Sequence, residues 1–256
     1  MAAPHGWWRT AGRGVLGLSV PPLVAVVVLY AGLVVLAGQA PRTWGMPARQ
    51  VGLRGATRGF AWGIGLAATT ILLCLAGGAR LMVQPAAEEQ FMAVALPLAA
   101  GLAAAALLEE LLFRGFPLAR LGRAVGPGVA AVVLAVVFAG AHVRNPDVSG
   151  IGLANIAVAA LLLSMAFLSP GGLATAFGLH LGWNAGLVFG ADAPVSGLRF
   201  GLPALEFAPG TRVWWTGGSF GPEGGVATTL VLGAALAWWA RGARLTWGQR
   251  EREVAA

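Results

Sequence analysis

Apolar residues in this chain run in long uninterrupted stretches. They show neither the alternation of a half-buried strand nor the three-to-four spacing of a helix with one face in water. A bilayer core about 30 Å thick takes roughly 20 helical residues. Seven stretches approach that length: residues 15–37, 60–78, 91–113, 128–142, 151–168, 173–190 and 226–240. The pattern predicts an all-α fold, a polytopic transmembrane helical bundle of about seven spans (6 to 8, since the fourth and seventh stretches are short). Because the stretches recur along the whole chain, residues 1–256 read as a single membrane domain. The first follows Arg9 and Arg13 and exceeds the apolar core of a cleavable signal peptide, so it is expected to persist as an anchor. Residues 191–225 are rich in glycine and proline and hold no such stretch, which predicts an extramembrane loop or a re-entrant cap. There is no internal repeat of the kind that marks many transporters.

Composition agrees: 57% of residues are hydrophobic and 11% charged, against about a quarter charged in soluble domains. The formal charge is +7, and all 17 basic residues are arginine. They flank the apolar stretches and do not build a basic face on a soluble fold, which excludes a nucleic-acid partner and makes membrane lipid the expected surroundings. With seven spans, most arginines fall on one side, among them Arg42, Arg49, Arg54, Arg58, Arg114, Arg120, Arg123, Arg241 and Arg244. The positive-inside bias then places the C-terminus in the cytoplasm and the protein, multi-pass, in the cell inner (plasma) membrane. The single cysteine, Cys74, excludes an intrachain disulfide or a cysteine metal cluster.

A charge at the centre of a span costs about 2.5–3.5 kcal/mol on insertion scales, so polar residues inside the stretches need a reason. They are Glu109, Glu110 and Arg114 closing the third span, His142 closing the fourth, Asn155 in the fifth, and His180 and Asn184 in the sixth. Arg114 follows Glu110 by one turn and can neutralise it. Glu109 projects about 100° to the side with no partner on its own helix, and such a carboxylate is a natural general base. A helix-end cluster reaching out to water would be the plainer account, but two adjacent buried glutamates are too short for it. Glycines 178, 182, 186 and 190 form a stripe that lets two helices approach closely. His180 and Asn184 stack one turn apart on the opposite face, either joining helices or donating two hydrogen bonds to one oxygen.

Peptide hydrolysis needs an activated water, a base, and donors for the developing oxyanion. Glu109 with His142 can hold and deprotonate the water, with His180 and Asn184 at the oxyanion. Alternatively Glu109, His142 and His180 can bind zinc, since carboxylate and imidazole ligands make catalytic zinc sites. The HExxH motif is absent, and Asp147 and Asp192 both lie in loops, against an intramembrane aspartyl dyad. Gly217 to Gly221 matches G-x-S-x-G without the strand and helix that the motif requires, and is read as chance.

Glu109-Glu110-Leu111-Leu112-Phe113-Arg114 reads as EExxxR, Phe138 to His142 as FxxxH, and His180 to Asn184 as HxxxN. In this order, on successive membrane helices, they resemble the CPBP family, which includes type II CAAX prenyl endopeptidases and Abi-like bacteriocin-processing or immunity proteins. The resemblance covers residues 91–190, the expected catalytic core. It implies an intramembrane endopeptidase, glutamic or metal-dependent, acting on membrane-associated protein or peptide substrates. Glu109 would be the base, His142 its partner, and His180 and Asn184 the oxyanion donors, with Glu110, Arg114 and Phe138 in support. The all-arginine, alanine-rich composition suggests a GC-rich bacterial genome, where prenylated substrates are not expected. A transporter with a polar relay and a catalytically silent immunity or scaffold protein are the competing classes. The concentration of polar residues on three helices argues against the first, and intact motifs argue against the second.

Overall fold

The computed structural model describes residues 52–83 and 88–255 together with residues 24, 25, 27 and 28, with side chains as far as residue 241 apart from that of 89. The chain is mostly helical. Its helices are α1 (Leu53–Ala76), α2 (Glu88–Phe113), α3 (Phe116–Val125), α4 (Pro127–Ala141), α5 (Gly150–Leu168), α6 (Gly172–Ala191), the short α7 (Val213–Thr216) and α8 (Val226–Ala255). Six of the expected apolar stretches therefore reappear as helices or as the start of one. The expected anchor at 15–37 lies, but for four positions, outside the described residues.

Among the described residues, three stretches are long and apolar enough to cross a membrane: Leu53–Ala76, Gln90–Val125 and Gly150–Leu168. Pro127–Ala141 and Val226–Arg241 are shorter apolar helices. A 15-residue α4 rises only about 22 Å, less than a bilayer core. In α6, five glycines, His180 and Asn184 dilute the apolar content. The breaks follow local chemistry. Gly115 and Pro117 end α2 and start α3, and Gly126, at φ 87°, turns the chain directly into Pro127.

The core of the bundle is the contact of α1 with α6, and the glycine stripe makes it. A Cβ on Gly178 or Gly182 would lie 2.1 Å from the carbonyl of Ala56 or 2.3 Å from that of Phe60. From the other side, Gly59 and Gly63 meet the carbonyls of Thr175 and Leu179 at 2.2 and 2.3 Å from such a position. Backbone thus packs on backbone. With that face of α6 committed to α1, the face carrying His180 and Asn184 turns toward α2, α4 and α5.

One feature departs from an all-α fold. Strand β1 (Arg80–Val83) pairs antiparallel with β2 (Leu205–Ala208), Arg80 opposite Ala208 and Val83 opposite Leu205. Four-residue strands are too short to announce themselves by alternation. The pairing ties the 191–225 segment to the end of α1. That segment folds back as a cap, with α7 followed by 3-10 turns at Gly218–Phe220 and Pro222–Gly224. The glycines of the G-x-S-x-G match serve those turns: Gly217 and Gly221 sit at φ 86° and 95°, and Ser219 between them is exposed.

Candidate active site

The centre of the site is an ion cluster at the end of α2. Arg114 Nη1 donates to Oε1 of Glu110 at 3.0 Å, and Nη2 donates to the Ala160 carbonyl of α5 at 3.2 Å. Both side chains are buried. The guanidinium also lies 4.5 Å from the centre of the Phe138 ring, a cation–π contact that is strengthened when desolvated. Two charges taken out of water are here neutralised within one helix turn and fixed to two further helices.

His180 joins this cluster from α6. Its Nδ1 donates to the same Glu110 Oε1 at 2.8 Å, which aims Nε2 at Oε2 of Glu109, 3.7 Å away. The adjacent glutamates are therefore not equivalent. Glu110 is fully enclosed, whereas Glu109 keeps 31% of its side-chain exposure and faces a cavity.

His142 is the C-cap residue of α4. Its Nδ1 lies 2.7 Å from the Phe138 carbonyl. A carbonyl only accepts, so Nδ1 carries the hydrogen and Nε2 of the neutral ring is left as an acceptor. The Phe138 ring packs on the imidazole at 4.7 Å with the planes tilted by 40°, and meets Phe113 edge-on at 5.0 Å, which sets the orientation of His142.

These elements enclose a cavity of about 390 Å³ whose wall includes Glu109, Phe138, His142, His180 and Asn184. Glu110 and Arg114 stand behind that wall. All the residues expected from sequence thus gather around one space. The difference lies in how His180 is engaged: it bridges both glutamates as well as standing one turn from Asn184.

The residues Glu109, His142 and His180 are also the donor set that zinc would require. Among the described residues, no three His, Cys, Asp or Glu side chains converge closely enough to hold an ion. Nδ1 of His180 is committed to Glu110 and Nδ1 of His142 to the Phe138 carbonyl, so an ion would have to be held by the two Nε2 atoms together with Glu109.

Sequence reading missed the roof. Val195, Ser196, Leu198, Phe200 and Glu223 of the cap line the same cavity. The one hint was Glu223, a lone acidic residue between the cap glycines and the last apolar stretch.

Comparison with known proteins adds one finding. Residues 90–186 match the family model described as Type II CAAX prenyl endopeptidase Rce1-like, a segment holding all three motifs. Among curated proteins and among solved structures, no match is found.

Proposed function

We propose that the chain, whose residues 90–186 match the Rce1-like model of type II CAAX prenyl endopeptidases, is an intramembrane endopeptidase working through a glutamate-activated water. The family is one of proteases, and the apolar helices make this a membrane protein. The observation that carries the mechanism is that α2, α4 and α6 bring Glu109, His142, His180 and Asn184 to the wall of one cavity, with Glu109 facing into it.

In this reading a water sits between Glu109 and the acceptor Nε2 of His142. Its oxygen attacks the scissile carbonyl carbon while Glu109 takes the proton. Charge develops on the carbonyl oxygen, and Asn184, together with His180 when its Nε2 is protonated, donates to it. As the C–N bond breaks, Glu109 returns the proton to the leaving amine. Glu110 and Arg114 hold the His180 ring in place. The largely apolar wall favours apolar residues beside the scissile bond, in a membrane-associated protein or peptide. The arginine distribution supports a cytoplasmic C-terminus, and the all-arginine, alanine-rich composition a bacterial plasma membrane.

The test is cleavage of a quenched peptide library by the detergent-purified protein, comparing wild type with Glu109→Ala and His142→Ala. Loss of cleavage in both variants, with their fold retained, supports the assignment; unchanged cleavage in both overturns it. A chelator arm separates the two chemistries, since loss of activity restored by zinc would replace the glutamate mechanism by a metal one.

A further inference from the structure

Asn155 and Glu223 are buried polar residues for which the proposed chemistry has no use, and Glu223 lines the cavity. Asn155 Nδ2 donates to the backbone carbonyls of Glu223 and Gly225 at 2.7 and 3.0 Å, and its Oδ1 accepts from Thr229 Oγ1 at 2.8 Å. The amide of α5 is thereby spent on fixing the 3-10 turn that carries Glu223. The carboxylate of Glu223 then reaches two ways. Oε1 accepts from Trp183 Nε1 of α6 at 2.8 Å. Oε2 accepts both the backbone N–H of Ser196 and its hydroxyl, the latter at 3.1 Å.

Ser196 belongs to a tight turn, residues 195–198, that contributes Val195, Ser196 and Leu198 to the cavity wall. Every N–H of this turn is engaged. Val195 and Leu198 bond each other at 3.0 and 2.9 Å, Gly197 bonds the Phe220 carbonyl at 3.0 Å, and Ser196 bonds Glu223. Ser196 and Gly197 lie at φ 49° and 83°, in the left-handed region. Asn145, three residues after His142, donates to the Ser196 carbonyl at 2.8 Å. A Cβ on Gly197 would lie 2.2 Å from the Pro146 carbonyl. The turn is thus held between the loop that follows His142 and the carboxylate of Glu223.

We propose that Glu223 is a positioning and specificity-determining residue: by holding the 195–198 turn and the Trp183 indole, it fixes the roof of the cavity and so the size of the substrate residue admitted beside Glu109 and His142. This rests on the peptidase reading of the cavity. Glu223 does not touch the reacting atoms in this scheme; it acts through Ser196 and Trp183. Glu223 and Ser196 lie outside residues 90–186, the segment that matches the family model, whereas Trp183 lies within it.

The experiment has two readouts. Hydrogen exchange of residues 193–202 is measured on full-length wild type, Glu223→Gln and Ser196→Ala in detergent. In Glu223→Gln an amide donor can face the Ser196 N–H, and the turn is expected to exchange about tenfold faster while α5 and α6 keep their protection. Ser196→Ala, which removes only the hydroxyl, should do the same by about two- to threefold. In parallel, cleavage of quenched peptides with small and bulky apolar residues should show KM for the small set raised about tenfold in Glu223→Gln, kcat within about threefold, and bulky residues newly accepted. Unchanged exchange and unchanged KM overturn the proposal, as does a fall in kcat at constant KM. If Glu223→Gln fails to fold, Ser196→Ala decides by the same two readouts. Faster exchange of the roof in Glu223→Gln, in a protein whose wild type cuts nothing, would leave the hold of Glu223 on the 195–198 turn standing and sink the peptidase reading. Cleavage that depends on Glu109 while Glu223→Gln changes nothing would do the reverse.

Discussion

His180 and Glu110 are joined across two helices by a hydrogen bond of 2.8 Å to an oxygen that Arg114 already holds at 3.0 Å. One carboxylate oxygen thus orients the imidazole and neutralises the guanidinium, and α2 and α6 are tied at the depth of the cavity.

Removing one member of that cluster strands the others. Arg114→Ala leaves Glu110 buried beside His180 and should destabilise the fold by about 3–5 kcal/mol, the usual consequence of breaking a buried ion pair. The measurement is thermal unfolding in detergent, and a loss below about 1 kcal/mol would contradict the pairing described.

Neighbouring glutamates should separate cleanly on mutation. Glu109→Gln is expected to unfold within about 0.5 kcal/mol of wild type, since its side chain is part-exposed. Its peptide cleavage should fall by a factor of about 10²–10⁴, the range for a general base. Glu110→Gln should lower stability and cleavage together, because both Arg114 and His180 lose a charged acceptor. Parallel unfolding and activity series on the two variants check the contrast.

Helix packing gives a prediction independent of chemistry. Gly59→Ala and Gly178→Ala would each drive a methyl to about 2 Å from a facing carbonyl, forcing α1 and α6 apart at a cost of at least about 1–3 kcal/mol. Gly65→Ala, also on α1 but with open space around it, should be neutral or stabilising by up to about 1 kcal/mol from helix propensity. Unfolding midpoints of the three variants side by side make the comparison.

Asp192, which ends α6 and accepts the Leu202 N–H at 2.8 Å, is pushed up from 3.8 to about 6. Burial is the main cause, and Glu206 adds to it, opposed by the Leu202 hydrogen bond and by Arg199. A carboxyl with a raised folded-state pKa binds its proton more tightly folded than unfolded. Its contribution to stability is therefore greatest below about pH 4 and declines as pH rises through about 6. Asp192→Asn keeps an oxygen to accept from Leu202 and removes the titration. The unfolding midpoint of wild type should fall relative to this variant between pH 4 and 6.5 and run parallel above it. A constant difference across that range would refute the assignment.

The sequence by itself determined where the long apolar helices lie and which polar residues are candidates for the chemistry. Apolar stretches of span length survive any packing arrangement, and charges inside them are too costly to be incidental, so Glu109, His142, His180 and Asn184 stood out before any contact was known. The glycine stripe of α6 was legible for the same reason, a local periodicity of four. Tertiary structure decided what depends on residues distant in the chain. Sequence spacing paired Glu110 with Arg114, but only the docking of α6 on α1 through its glycines turned His180 toward both glutamates. The roof was invisible because the 191–225 segment has no periodicity to read: its four-residue strand and 3-10 turns take their shape from partners on β1, α5 and α6. Glu223 gains its place only when Asn155, Trp183 and Ser196, from three separate parts of the chain, close around it.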